Sequence, residues 1–220
     1  MFVKICGITS EEDALLAVAM GADAVGFLFA PSTRQIAPAL ARDIARRLPP
    51  EILTVGVFRN EAAQRVVDIV NSTGLRAAQL HGAETADQTR WVRDRVPVVI
   101  KAFAAGSPDL VRADDYGADA VLVDSPAPGS GEVFDWSLAE GAPIGRRVIL
   151  AGGLTPTNVA DAIARVRPWG VDVSTGVEAS PGHKDALLVR DFVRAARSAE
   201  PRGYQGDDLA RPFDWQEEAT

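Results

Sequence analysis

Gly21-Ala22-Asp23-Ala24-Val25 returns unchanged as Gly117-Ala118-Asp119-Ala120-Val121, and in weaker form as Gly170-Val171-Asp172-Val173. Each copy puts a glycine where a helix would end and then enters an apolar run, the punctuation of a helix-to-strand turn. Working outward, similar short runs fall at 2–6, 24–29, 53–58, 76–80, 97–102, 119–124, 147–151 and 170–174. They are mostly apolar rather than alternating, as in a parallel sheet covered by helices. Helical patterns lie between most of them. Ala63, Val66, Val67 and Val70 recur at helical spacing within 61–72, and Leu40, Ile44 and Leu48 do so within 38–48. Thr9 with Glu12 reads as a capping box, Asn60 before Glu61 as a start signal, and Thr155-Pro156 as a proline at a first helical position. The segments after the fifth and sixth runs are the least helical. Eight βα units predict an α/β fold, a single-domain (β/α)8 TIM barrel over residues 1–198. The alternative is an open doubly wound sheet, whose usual GxGxxG turn after the first strand is absent here.

The chain has 220 residues and a formal net charge of −7, which argues against nucleic-acid binding through a broad basic surface. It leaves room for a small anionic partner held by backbone amides and a few local cations. No apolar run approaches the ~20 residues of a membrane span, and the first residues lack a signal-peptide layout. One cysteine forms no internal disulfide, so a cytoplasmic setting is expected. With two histidines, His81 and His183, no cysteine–histidine cluster has metal spacing, and no metal is expected. Residues 199–220 form an acidic C-terminal extension, expected to be disordered or loosely packed, although Tyr204, Leu209, Phe213 and Trp215 would allow docking on the barrel or a partner. A monomer or a homodimer is compatible with the sequence.

A barrel places its active site where the strands end. Those positions carry Cys6-Gly7 after the first strand, Arg34 in the loop after the second, Gln79-Leu80-His81-Gly82 around the end of the fourth, and Asp124 after the sixth, leading into Gly129-Ser130-Gly131. Gly152-Gly153 follow the seventh strand and Ser174-Thr175-Gly176 the eighth. Glycines just before a helix admit backbone N–H groups close to an anion, and barrels commonly hold phosphate after strands seven and eight. Either Gly-rich loop alone is an ordinary tight turn; together they point to phosphate. Cys6 facing one pocket with Asp124 suits a thiolate base and a carboxylic acid, although a lone cysteine is usually a buried small hydrophobe. Alternation puts Lys4 on the face of Cys6, where a lysine needs a carboxylate partner. Asp172, on the strand that closes the barrel, is the candidate, and a cation there favours the thiolate. Arg34 reads as a solvated loop charge or as a clamp for a substrate carboxylate. His81 reads as a polar substrate-binding or supporting group rather than a catalyst.

Lys4-Ile5-Cys6-Gly7-Ile8-Thr9, Gly26-Phe27-Leu28-Phe29 with Arg34, Val55-Gly56-Val57-Phe58, Gln79-Leu80-His81-Gly82, Phe134-Asp135-Trp136, Leu150-Ala151-Gly152-Gly153-Leu154 and the run from Gly170 to Glu178 occur in family order. Together, over about residues 2 to 197, they resemble phosphoribosylanthranilate isomerase, an enzyme of tryptophan and hence aromatic amino-acid biosynthesis. The resemblance implies an Amadori rearrangement of N-(5-phosphoribosyl)anthranilate to 1-(2-carboxyphenylamino)-1-deoxyribulose 5-phosphate. It implies Asp124 as general acid, protonated at rest, and Cys6 as general base. Arg34 would bind the anthranilate carboxylate, and Gly152, Gly153, Ser174, Thr175 and Gly176 the phosphate. No cofactor is implied, because the iminium nitrogen is itself the electron sink. Ser130 and Arg59 depart slightly from the family pattern.

Two competing readings follow. A related sugar isomerase of histidine biosynthesis takes a substrate with two phosphates, but Phe58-Arg59-Asn60-Glu61 has no glycines and the first position is Cys6 rather than aspartate. A dual-specificity isomerase is the nearer variant. The other reading is a non-catalytic phosphate-binding barrel, which has no need of Cys6, Asp124 and Arg34 together.

Overall fold

A computed structural model describes residues 1–126, 135, 136, 138 and 145–199. Eight parallel strands close into a barrel in chain order. They are β1 (Phe2–Cys6), β2 (Ala24–Leu28), β3 (Leu53–Phe58), β4 (Ala77–Leu80), β5 (Val98–Ala104), β6 (Ala120–Asp124), β7 (Val148–Leu150) and β8 (Gly170–Val173). All eight lie within two residues of the runs read from the sequence. Helices α1 (Glu11–Ala19), α2 (Pro38–Ala45), α3 (Ala63–Thr73), α4 (Ala86–Arg93), α5 (Val159–Val166) and α6 (Ala186–Ser198) surround them, and a 3-10 segment, Leu110–Tyr116, follows β5. The acidic extension, Ala199 excepted, lies outside the described residues, as do Gly129-Ser130-Gly131 and Phe134.

The repeated motif explains itself here. Asp23 and Asp119 each precede a strand and reach back to the strand before it. The Val3 N–H donates to Asp23 Oδ2 and the Val99 N–H to Asp119 Oδ2, both at 2.7 Å. Arg197 and Arg93 hold these carboxylates from the helical layer, each at 2.8 Å. Gly21 (φ 92°) and Gly117 (φ 64°) supply the left-handed turn before each copy. The third copy differs. β8 already begins at Gly170, whose missing side chain makes room for the Phe2 ring, so Asp172 lies inside the strand and faces Lys4 instead.

Strand alternation separates two cores. Leu53, Val55, Ile100, Leu122 and Ile149 fill the barrel interior, while Val25, Phe27, Val121 and Val171 face the helices. In α3 the expected apolar stripe buries Val66, Val67 and Val70. In α2 the stripe is shifted: Ala41 and Ile44 are buried while Leu40 is exposed.

The caps correct three expectations. Ser10, not Thr9, caps α1 by accepting from the Asp13 N–H, and Thr9 donates to the Gly182 carbonyl at 2.6 Å. Asn60 is a left-handed turn residue (φ 55°) that accepts from the Ala83 N–H, and α3 begins three residues later. Pro156 precedes α5 by a turn, with Asn158 at the N-cap position. The capping box actually present is Thr85 with Gln88, at the start of α4.

At the C-terminal end of the barrel, Glu84 accepts from the N–H groups of Asn60 and Gly82 at 2.8 Å and from Lys101 Nζ at 3.0 Å. This ties the loops after β3 and β4 to β5. Burial pushes the Glu84 carboxyl up, but the Lys101 ammonium and the Asn60 N–H leave it below its ordinary value near 4.5. Its stabilisation is therefore present above that value and lost as pH falls through the lower folded one. Glu84→Gln is expected to destabilise the protein by about 3 kcal/mol at neutral pH, the low end for breaking a buried pair. In urea unfolding, the gap from the parent protein should close on acidification below pH ~4.

Candidate active site

The strand ends open into one cavity of about 330 Å³. Every residue expected from the sequence lines it: Cys6 from β1, Arg34 after β2, His81 after β4, Asp124 from β6, Gly152 and Gly153 after β7, and Ser174, Thr175 and Gly176 after β8. Arg59, noted above only as a slight departure from the family pattern, lines the same cavity.

Cys6 sits on the inward face of β1 above Lys4. The expected ion pair is present, with Lys4 Nζ donating to Asp172 Oδ1 at 2.8 Å and the lysine fully buried. Space for the thiol comes from β2. A side chain on Gly26 would put its Cβ 2.7 Å from Cys6 Sγ and 3.2 Å from Lys4 Nζ. Burial pushes the Cys6 thiol up. Lys4 and Lys184 pull it down and Asp172 opposes them, so the net direction is above the ordinary thiol value of 9.0. This reverses the expected thiolate shift, because desolvation outweighs the two ammonium groups.

Asp124 is buried at the end of β6. Its Oδ1 accepts from the Ser125 N–H at 2.7 Å, and its Oδ2 lies 3.0 Å from His81 Nε2. Gln79 Nε2 lies 2.8 Å from the other ring nitrogen of His81. Gly152 crosses beside the carboxylate in a left-handed conformation (φ 89°), and a Cβ there would come within 2.8 Å of Asp124 Oδ1.

Arg34 is not a solvated loop charge. Its Nε and Nη2 donate to the two carboxylate oxygens of Glu178, each at 2.7 Å, and Nη2 also reaches Thr175 Oγ1 at 3.4 Å. Glu178 begins strand β9 (Glu178–Ser180), which pairs with β10 (His183–Lys184) in a hairpin beyond the barrel. From β10, Lys184 Nζ donates to Glu178 Oε1 at 3.0 Å and to the Ser174 carbonyl at 3.2 Å. Burial pushes Glu178 up, but the fork of Arg34 and the Lys184 ammonium leave it below the ordinary value. The guanidinium is thus held by one edge, and no hydrogen bond from its Nη1 to a described residue competes with a ligand.

The loops after β7 and β8 pack directly on each other. A side chain on Gly176 would collide with the Leu154 carbonyl. The β8 loop leads into a 3-10 turn, Thr175–Val177, while α5 starts only at Val159, so the glycines do not abut long helices as the sequence suggested. Ser174 Oγ is buried with no partner among the described residues.

The sequence reading missed the roles of Gln79, Glu178 and Lys184. Gln79 and Glu178 lay inside runs quoted above, but nothing local marked them. Lys184 carries no local sign at all, because only the hairpin returns it to the barrel mouth.

The family model "N-(5'phosphoribosyl)anthranilate (PRA) isomerase" matches residues 3–195. The N-(5'-phosphoribosyl)anthranilate isomerase of Desulforudis audaxviator is 52% identical over 204 residues, covering 90% of this chain and 98% of that protein. The crystal structure of phosphoribosyl anthranilate isomerase from Thermus thermophilus superposes with a TM-score of 0.84 at 44% identity, covering 90% of this chain and 99% of that one. A phosphoribosyl anthranilate isomerase in complex with reduced 1-(o-carboxyphenylamino)-1-deoxyribulose 5-phosphate superposes with a TM-score of 0.80 at 44% identity, over the same shares. A barrel that follows these relatives almost from end to end, with the acid, the thiol and the arginine opening into one cavity, belongs to the N-(5'-phosphoribosyl)anthranilate isomerase family.

Proposed function

We propose that the chain converts N-(5-phosphoribosyl)anthranilate to 1-(2-carboxyphenylamino)-1-deoxyribulose 5-phosphate by general acid–base catalysis in tryptophan biosynthesis. The observation that carries the reading is that Cys6 and Asp124, from distant strands, face one cavity with Arg34 at its rim and Ser174, Thr175 and the glycine loops along its wall. A related isomerase binds a reduced form of that product.

Asp124 gives its proton to the ribose ring oxygen. The bond from that oxygen to C1 breaks, and the nitrogen lone pair closes an iminium. Cys6, as thiolate, removes the C2 proton, and the C2–H electrons form the enolamine double bond while the iminium accepts its π pair at nitrogen. Tautomerisation moves a proton from the C2 hydroxyl to C1 and leaves the ketone, and the proton taken by Cys6 balances the one given by Asp124. The nitrogen serves as electron sink. Arg34, held along one edge by Glu178, turns Nη1 to the anthranilate carboxylate. Ser174 Oγ and the backbone of the β7 and β8 loops receive the phosphate.

A buried thiol whose proton is held tightly is a strong base once ionised, at the cost of a small ionised fraction at neutral pH. Because Cys6 is the only cysteine, alkylation reports it alone. Its rate is expected to rise with pH to a midpoint above the ordinary thiol value of 9.0. Lys4→Met should move that midpoint further up, and a parent midpoint near 7 would contradict the assigned balance of burial and charge.

The function itself is tested by mixing the protein with freshly made phosphoribosylanthranilate and following loss of its fluorescence. Cys6→Ala and Asp124→Asn are each expected to lower turnover at least ~100-fold. Near-normal turnover in either would remove that residue from its role, and none in the folded parent protein would leave only a phosphate-binding barrel. Glu178→Gln, which loosens the arginine, is expected to raise KM about tenfold with kcat within about twofold, the pattern of lost ground-state binding.

A further inference from the structure

Three side chains are joined in a row along one wall of the cavity: Gln79, His81 and Asp124. Gln79, on the inward face of β4, is 1% exposed. Its Nε2 lies 2.8 Å from His81 Nδ1, and His81 Nε2 lies 3.0 Å from Asp124 Oδ2. With the amide nitrogen donating to Nδ1, that ring nitrogen carries no hydrogen, so the imidazole proton sits on Nε2 and points at the carboxylate. The amide turns its nitrogen toward the ring. It leaves Gln79 Oε1 without a partner among the described residues, a cheaper deficit than an orphaned NH2 with two donors.

Asp124 then accepts on both oxygens, from the Ser125 N–H and from the His81 Nε2–H. That arrangement fits a carboxylate, the state the acid reaches after giving its proton away. Donors aimed at charge that develops during a step lower its barrier more than they stabilise the reactant. The other titratable or charged side chains lining the cavity are Cys6, Arg34, Arg59 and Asp172, and among the described residues His81 is the side chain hydrogen-bonded to Asp124.

We propose that Gln79 is a positioning residue for this reaction: by donating to Nδ1 it fixes the His81 tautomer whose Nε2–H receives the carboxylate left on Asp124 when the sugar ring opens. Gln79 lines the same cavity, but its amide bonds the imidazole rather than the carboxylate, so it acts on Asp124 through the ring. The inference rests on the isomerase reading above and on Asp124 as its acid.

The polarity of the amide gives the test. Gln79→Glu keeps the shape and turns the donor into an acceptor, which draws the imidazole proton to Nδ1 and leaves Nε2 facing the acid with a lone pair. With only two histidines in the chain, long-range 15N–1H spectra read the tautomer directly. Expected are an Nε2–H signal for His81 in the parent protein and an Nδ1–H signal in Gln79→Glu. In turnover of phosphoribosylanthranilate, Gln79→Glu should lower kcat about tenfold, the weight of one hydrogen bond to a charged group, with KM within about twofold. The descending limb of its kcat/KM profile should move to higher pH. In a His81→Gln background, which has no tautomer to set, the same substitution should change nothing further.

An unchanged tautomer and an unmoved limb in Gln79→Glu, with the loss confined to melting temperature, would make Gln79 a structural residue and overturn the inference. An equal loss in the His81→Gln background would do the same. If Gln79→Glu does not fold, Gln79→Leu is read in its place. A fall in kcat at constant KM supports the role, and an unchanged kcat overturns it. A parent protein that binds phosphoribosylanthranilate without turnover fails at the earlier reading, and the spectra still decide the tautomer.

Discussion

The ion pair between Lys4 and Asp172 is the interaction on which the rest of the site depends. It spans the seam where the last strand meets the first, so it forms only when the barrel is closed. Burying two such charges costs several kcal/mol each before their attraction is counted, and a pair of apolar residues would stabilise the seam as well or better. Its value lies in placement. Lys4 brings a positive charge beneath Cys6, where burial alone would push the thiol's proton affinity higher still. Asp172 neutralises that lysine well enough for it to exist inside a barrel, and partly cancels its pull on the thiol. The proton affinity of the Cys6 thiol, the proposed base, is therefore set by a balance between two strands that lie at opposite ends of the chain.

The same logic recurs around the cavity. None of the proposed functional groups is held by its own strand alone. Arg34 is gripped by Glu178 from a hairpin after β8, and Glu178 is gripped again by Lys184 from the returning strand of that hairpin. Asp124 is approached by His81 from β4, whose loop is fastened through Glu84 to β3 and β5. Each contact costs side-chain entropy. Their common result is that the orientation of each functional group is decided by residues far away in sequence.

That is also why the fold was more legible than the site. Strand positions follow from local composition, and the pairing of Lys4 with Asp172 follows from alternation plus closure, so both could be read from one dimension. The nine strand-end residues were legible because a parallel barrel has one functional face. What the sequence hid is what closure and the hairpin create. The grip of Glu178 on Arg34 joins residues 144 positions apart, and nothing near Lys184 marks it as part of the mouth. The direction of the Cys6 shift was misjudged because a neighbouring lysine is visible in sequence while the desolvation that opposes it is not. The cap at Thr9 failed for a comparable reason, since Gly182 competes for its hydroxyl. The third copy of the opening motif misled because one glycine ends a helix while another starts a strand.

Gly26 and Gly152 carry no functional group, yet each leaves no room for a methyl group, the first against the Cys6 thiol and the second against the Asp124 carboxylate. In this barrel the chemistry is written partly as absences. A map of tolerated substitutions would show constraint spreading from the acid and the base to neighbours that can neither give nor take a proton. Selection for a different substrate would meet the same limit. Groups can be exchanged at the rim, but the two empty positions leave no room for a new side chain beside the thiol or the carboxylate.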